Sequence, residues 1–144
     1  DLSNEPKKVL DLASGNGILA KTVQDKLPNT EIHLIDDSYL AVESSKWNVK
    51  GDNVYFTHNN DLSKINDGQF DYIISNPPFH IEHEIDINLP VSLFEEVHRC
   101  LSDNGTFQVV SNIHLNYKTH LQKLFNVVEV TAQNEKFTVL TCRK

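Results

Sequence analysis

The sequence predicts an α/β domain of Rossmann-like type, with a mostly parallel seven-stranded sheet, helices on both faces and an antiparallel hairpin at the C-terminus. Three observations predict it. Short apolar, β-branched segments alternate with segments of helical spacing through the first five strands. A glycine-rich turn joins the first strand to the first helix. Two further strand-like segments follow the last helix and flank a polar turn at residues 133–136, which is typical of a hairpin.

Each element has its own local signal. The alternation or clustering of apolar residues predicts strands at 7–13, 31–35, 54–57, 70–74, 106–110, 127–130 and 137–141. Helical spacing predicts helices at 18–26, 41–49, 89–101 and 115–125. Gly51 ends the second helix, and the polar stretch 102–105 predicts a turn before the fifth strand. Trp47 in the second helix is predicted to pack against the core or another surface.

Length and composition limit the function. The chain has 144 residues, of which 39% are hydrophobic and 23% charged, as in an ordinary single globular domain. No apolar run approaches the roughly 20 residues of a membrane span, and two cysteines without metal-ligand spacing fit a reducing compartment. We therefore expect a cytoplasmic protein without a membrane partner. A net charge of −7 disfavours nucleic-acid binding by this segment alone.

The stretch Asn76-Pro77-Pro78-Phe79 follows the fourth predicted strand, at the edge of the sheet where α/β proteins bind ligands. The side-chain oxygen of Asn76 and the backbone oxygen of Pro77 can accept both hydrogens of a planar amine, and Phe79 can stack on the ring that carries it. Such a site aligns a nitrogen lone pair with an electrophile and stabilises the developing positive charge. The structural alternative is a rigid turn with a buried phenylalanine.

A second candidate site is Gly15-Asn16-Gly17, where small residues let a ligand approach the backbone at the start of a helix. With Ala20 these glycines also satisfy the dinucleotide fingerprint, and Asp36 follows at about the spacing of a ribose ligand. A nicotinamide dehydrogenase is therefore an alternative. Two structural alternatives are also open: the glycines form a turn without binding a ligand, and the residue at the end of the second strand caps the helix that follows.

Other polar residues near strand ends separate these alternatives. Asp11, in the first strand, is predicted to be a buried carboxylate that needs a donor, and a ligand ammonium group would provide one. Asn60 and Asp61 can contact an adenine amino group or form a turn. The segment 80–84 lacks metal-ligand spacing, so no metal site is predicted.

Taken together, these motifs resemble class I S-adenosylmethionine-dependent methyltransferases, and most closely the ribosomal RNA guanine-N2 methyltransferases. Besides Asn76-Pro77-Pro78-Phe79-His80, three segments support this branch: 36–45, 111–117 and 132–137. The resemblance covers nearly the whole chain, as the C-terminal catalytic half of a two-domain protein. An opening without methionine fits such a fragment. The resemblance implies that S-adenosylmethionine is the cofactor and that ribosomal RNA or a ribosomal subunit is the partner. It also implies that the amino-terminal domain helps to hold RNA.

The resemblance also implies roles for individual residues. Those implied to bind the cofactor are Asp11, Ser14, Gly15, Asn16, Gly17, Asp36, Asp37, Asn60, Asp61 and Asn76. Those implied to act in catalysis are Asn76, Pro77, Pro78 and Phe79, while Phe79 and His80 would contact the base, which must leave its stack.

Three alternatives to this function remain open at this stage. A protein glutamine N5-methyltransferase would use the same amide-holding arrangement, although that group usually has tyrosine at the position of Phe79. A nicotinamide dehydrogenase would give the segment 76–79 no role. A non-catalytic module is the third, because Ala13 stands where these methyltransferases usually have glycine.

Overall fold

The computed structural model describes residues 8–12, 17–36, 38–58, 62–75, 88–112 and 117–144. Its strands are β1 (Lys8–Leu12), β2 (Glu31–Asp36), β3 (Val54–His58), β4 (Phe70–Ser75), β5 (Leu101–Asn112), β6 (Val127–Gln133) and β7 (Phe137–Arg143). Its helices are α1 (Ile18–Lys26), α2 (Tyr39–Asn48), α3 (Asn88–Cys100) and α4 (Tyr117–Gln122). In this part of the chain, no helix is both long and apolar enough to cross a membrane.

The strands form one seven-stranded sheet in the order β3-β2-β1-β4-β5-β7-β6. The first five strands are parallel to one another, whereas β7 runs antiparallel to both β5 and β6. The predicted fold class, including the C-terminal antiparallel hairpin, is confirmed. The strand order reverses direction between β1 and β4, so the ends of these two strands form the topological switch point.

Two apolar clusters lie on opposite faces of the sheet, because successive strand side chains alternate between faces. The larger cluster contains Phe94 of α3 and Leu121 of α4 with Phe107 of β5. The smaller cluster joins Ala20 of α1 to buried residues of β1, β2 and β3. Helices therefore cover both faces, as predicted.

Two predictions from local sequence differ from the structure. Residues 102–105 were expected to form a turn before the fifth strand, but β5 begins at Leu101 and includes them. The register with β4 jumps from the pair Phe70–Leu101 to the pair Tyr72–Thr106, so residues 102–105 form an irregularity within β5 that has no strand-pairing partner in β4. Trp47 does not pack in the core, since it is 79% exposed on α2.

Candidate functional site

The carboxyl ends of the parallel strands bring the candidate polar residues to one edge of the sheet. Asp11 of β1 pairs with Leu34 of β2 and with Ile74 of β4. Asp36 ends β2 two residues beyond Leu34, and the alternation of side chains puts Asp11 and Asp36 on the face that carries α1. Both carboxylates therefore lie beside the switch point, where open α/β sheets bind ligands.

Asp11 is the most unusual group at this edge. Its side chain is fully buried, and neither carboxylate oxygen has a hydrogen-bond partner of normal geometry among the described residues. Burial raises its pKa from 3.8 to about 7, the backbone N–H of Ala20 opposes that rise, and the charge of Asp36 adds to it. A buried carboxylate without donors is costly unless a cation completes it, so the arrangement fits a positively charged ligand group.

Asp36 is 9% exposed at the end of β2. Its Oδ1 accepts a hydrogen bond of 2.9 Å from the backbone N–H of Ser38. Ser38 in turn caps α2, because its Oγ accepts from the N–H of Ala41 at 3.2 Å. The capping role left open for the residues after β2 thus belongs to Ser38. The hydrogen bond from the N–H of Ser38 fixes the Asp36 carboxylate at the edge of the sheet.

Gly17 opens α1 with a left-handed φ of 83° and no side-chain cap. A Cβ atom on Gly17 would lie 2.9 Å from Cβ of Ser45 and 3.1 Å from Cγ2 of Val49. Both neighbours belong to the buried contact between the start of α1 and α2. Glycine is required here by backbone conformation and by helix packing, so this position has a structural reason in addition to any ligand contact.

Most of the other predicted site residues lie outside the described part of the chain. They are Ser14, Gly15, Asn16, Asp37, Asn60, Asp61, Asn76, Pro77, Pro78, Phe79 and His80. The described residues that flank them lie at the carboxyl ends of β1, β2, β3 and β4 or at the start of α1. Their roles stay predictions. In the described part of the chain, no three metal-ligating side chains come together.

Sequence reasoning missed two residues that organise this edge. Ser75 is buried at the end of β4, and its Oγ donates to the backbone oxygen of Leu12 at 2.9 Å, which ties β4 to β1 at the switch point. Arg99 of α3 binds the loop between β3 and β4. No local pattern in the sequence indicated either contact, because each joins residues that are distant in the chain.

A cavity of about 360 Å³ lies beside α1 and reaches Ser75 at the end of β4. Its walls come from α1 and from one face of β1, β4, β5 and β7, and include Val9, Val23, Ile74, Val110 and Val139. Neither Asp11 nor Asp36 lines it. The electrostatics of the two carboxylates therefore locate the candidate ligand site better than the volume of this cavity.

The described site is thus an open α/β sheet that holds two buried carboxylates beside its switch point, one of them without a partner among the described residues. This is a Rossmann-like arrangement in which a buried carboxylate can receive a cationic N–H donor and a second carboxylate can accept from hydroxyls. Such a pair fits S-adenosylmethionine, which has an ammonium group and a ribose, better than a nicotinamide dinucleotide, which has no ammonium.

The comparison with protein families also favours a methyltransferase. Residues 1–141 match the family described as the methyltransferase small domain, and the chain belongs to that family. A protein from Psychromonas ingrahamii named ribosomal RNA large subunit methyltransferase G is 36% identical over 154 residues, which cover 99% of this chain and 40% of the relative. The chain therefore spans about two fifths of that relative.

Solved structures share the fold. The 16S rRNA N2 guanine methyltransferase of T. thermophilus, in complex with AdoMet and guanosine, superimposes with a TM-score of 0.82 at 24% identity over 97% of this chain and 38% of its own. Human N-acetylserotonin methyltransferase in complex with SAM has a TM-score of 0.76 at 17% identity, over 100% of this chain and 49% of its own. The predicted fold is confirmed, and so is the prediction that the chain belongs to a methyltransferase family.

Proposed function

We propose that this chain is the catalytic domain of an S-adenosylmethionine-dependent methyltransferase that modifies the exocyclic N2 amine of a guanine in ribosomal RNA. The observation that carries the proposal is the Asp11 carboxylate, which is fully buried at the switch point without a hydrogen-bond partner of normal geometry among the described residues. An ammonium group would complete it. This favours the methyl donor over the dinucleotide that the glycine fingerprint also allows.

Residues at the ends of several strands would share the binding of the cofactor. Asp11 would receive the ammonium and Asp36 the ribose hydroxyls, while Asn60 and Asp61 would contact adenine. The remaining proposed contacts come from Ser14, Gly15, Asn16, Gly17, Asp37 and Asn76. When bound, S-adenosylmethionine supplies an electrophilic methyl group.

The segment after β4 would hold the acceptor. The side-chain oxygen of Asn76 and the backbone oxygen of Pro77 would accept the two hydrogens of the guanine amine, which leaves the nitrogen lone pair directed at the methyl group. Both oxygens would also stabilise positive charge as it develops on that nitrogen. Pro78 would stiffen the turn, and Phe79 and His80 would contact the base.

The choice of ribosomal RNA draws on the relatives. The Psychromonas protein is named as a large-subunit ribosomal RNA methyltransferase, and the Thermus structure holds guanosine. The net charge of −7 argues against strong RNA binding by these 144 residues alone. We propose that an amino-terminal domain of the whole cytoplasmic protein supplies much of the grip on RNA, with a ribosomal subunit or its RNA as partner.

Methyl transfer with labelled S-adenosylmethionine tests this proposal. The acceptors would be free 16S and 23S RNA, the assembled subunits and a release factor, the last because a protein glutamine N5-methyltransferase would modify it. Nucleoside mass spectrometry should find N2-methylguanine in one RNA only. Label in the release factor, or label in RNA at any position other than the N2 amine of a guanine, would contradict the proposal. The Asn76→Ala variant should reduce methyl transfer far more than it weakens cofactor binding, because Asn76 is proposed to hold the acceptor amine as well as to contact the cofactor.

A further inference from the structure

We propose that Arg99 is a positioning residue for the adenine end of the cofactor site, because it fastens the loop that follows the predicted adenine contacts. The proposal rests on the function proposed above. Asn60 and Asp61 immediately precede Leu62 in the chain, and Leu62 opens the described part of the loop between β3 and β4. Arg99 would act through this loop and would not touch the cofactor.

The Arg99 guanidinium makes four hydrogen bonds. Its Nη2 donates to the backbone oxygen of Leu62 at 2.8 Å, and its Nη1 donates to the backbone oxygen of Ile65 at 2.7 Å. Nη1 also donates to Oδ1 of Asp67 at 2.7 Å. On the other side, Nε donates to Oε2 of Glu96 at 2.8 Å, and Nη2 forms an ion pair with the same oxygen at 2.7 Å. All three nitrogens of the planar group therefore donate hydrogen bonds.

The loop depends on these contacts for its position. Residues 62–69 contain no helix and no strand, and their described backbone bonds are the turn from Ile65 N–H to Leu62 oxygen at 3.0 Å and the bond from Gly68 N–H to Arg99 oxygen at 2.9 Å. Arg99 thus binds the loop through both its side chain and its backbone. The buried side chain of Leu62 anchors the same point in the larger apolar cluster.

The geometry selects arginine over lysine at this position. Two backbone oxygens three residues apart are bridged by the two Nη atoms of one rigid fork, whereas an ammonium is a single point with three rotatable donors. Glu96, one turn before Arg99 on α3, holds the fork in place. Asp67 contributes less, because it is 83% exposed and exposed ion pairs add little stability.

The Arg99→Lys variant tests the proposal with two ligands that differ only at the purine. S-adenosylhomocysteine carries the adenine amine, and S-inosylhomocysteine carries an oxygen in its place. Calorimetric titration of the wild-type chain should give tighter binding of the adenine form. In Arg99→Lys we expect the affinity for that form to fall about tenfold, as for the loss of one net charged hydrogen bond. The preference over the inosine form should fall toward unity.

Two further variants keep the test interpretable. Arg143→Lys changes the only other arginine of the sequence, which is exposed at the end of β7, and should leave both affinities unchanged. Asp67→Ala removes one exposed loop contact without risk to folding and should reduce the adenine preference to a smaller extent.

The outcomes separate this inference from the function on which it rests. If the wild-type chain binds neither ligand, the proposed cofactor site itself fails. If the wild type binds with an adenine preference that Arg99→Lys retains, the positioning role is wrong even where overall affinity or melting temperature falls. If Arg99 only stabilised the fold, its replacement would weaken the binding of both ligands equally. The ratio of the two affinities is therefore the quantity that tests the proposal.

Discussion

Asp11 of β1 and Arg99 of α3 are two charged side chains with opposite surroundings. Asp11 is fully buried and has no hydrogen-bond partner of normal geometry among the described residues. Arg99 is half-buried, and all three nitrogens of its guanidinium donate hydrogen bonds. We infer from this difference that Arg99 stabilises the protein, whereas Asp11 serves the ligand proposed above. Partners raise the pKa of the arginine, whereas burial raises that of the aspartate, so only Asp11 is left in a state that a cation would relieve.

The largest expected effect comes from removing the charge of Asp11. Asp11→Asn keeps the shape of the side chain but removes the carboxylate that would bind an ammonium, so affinity for S-adenosylmethionine should fall about 100-fold. The same change should raise the free energy of unfolding of the ligand-free chain at pH 8, by about 1 kcal/mol, because a buried charge is lost. Calorimetric titration and urea unfolding measure the two effects. A variant that is less stable without ligand would show that Asp11 has a structural partner.

Removing the charge of Arg99 should lower the free energy of unfolding, which is the opposite of the effect expected at Asp11. Arg99→Ala leaves the backbone oxygens of Leu62 and Ile65 without their charged donor, and we expect a loss of about 2 kcal/mol in the free energy of unfolding. Arg143→Ala is the matched control, and its effect should stay within about 0.5 kcal/mol because the side chain is exposed. Urea unfolding of the three proteins checks this. Equal stability of the two variants would mean that the loop contacts of Arg99 contribute nothing net.

The pH dependence sharpens the comparison. The pKa of Asp11 in the folded chain is about 7, above its unfolded value of 3.8. Its stabilising contribution is therefore fully present below about pH 3.8 and is lost as pH rises through about 7, whereas binding of an ammonium needs the ionised form. Affinity for the cofactor should rise about tenfold between pH 6 and pH 8, because the ionised fraction rises by that factor. Titrations at both pH values measure it, and Asp11→Asn should abolish the change. A wild-type affinity independent of pH would contradict the raised pKa.

The smallest expected effect is a difference in stability between two glycine variants. This difference separates the cost of backbone strain from the cost of packing. Gly17 and Gly68 have left-handed φ values of 83° and 65°, so alanine is strained at both. A Cβ would meet Ser45 at 2.9 Å in the first case but nothing nearer than 3.9 Å in the second. Gly17→Ala should therefore cost about 1 kcal/mol more stability than Gly68→Ala in urea unfolding. Equal costs would show that the contact between α1 and α2 relaxes without penalty.

The sequence predicted the sheet well because its information is local. Helix α1 was predicted at 18–26 and observed at Ile18–Lys26, since apolar spacing and the flanking glycine and proline mark both ends. Asp11 was predicted to be buried because it lies in an apolar strand, and the structure confirms this.

What could not be predicted depends on contacts distant in sequence. The loop contacts of Arg99 have no local signal, because these acceptors lie 32 to 37 residues earlier in the chain. Residues 102–105 have the composition of a turn, and local sequence does not show that they continue β5 as an irregularity opposite β4. Trp47 was expected to lie in the core or on a packing surface, and the structure excludes the core, because the side chain is 79% exposed.

The most direct test of the account is a double-mutant cycle between Asp11 and the ligand ammonium. Calorimetry would compare S-adenosylhomocysteine with its analogue lacking the α-amino group, against the wild-type chain and Asp11→Asn, with NAD as a control ligand. The account predicts that each single change weakens binding strongly and that the second change then adds little, because both remove the same interaction. Fully additive losses, or tighter binding of NAD than of S-adenosylhomocysteine, would contradict it.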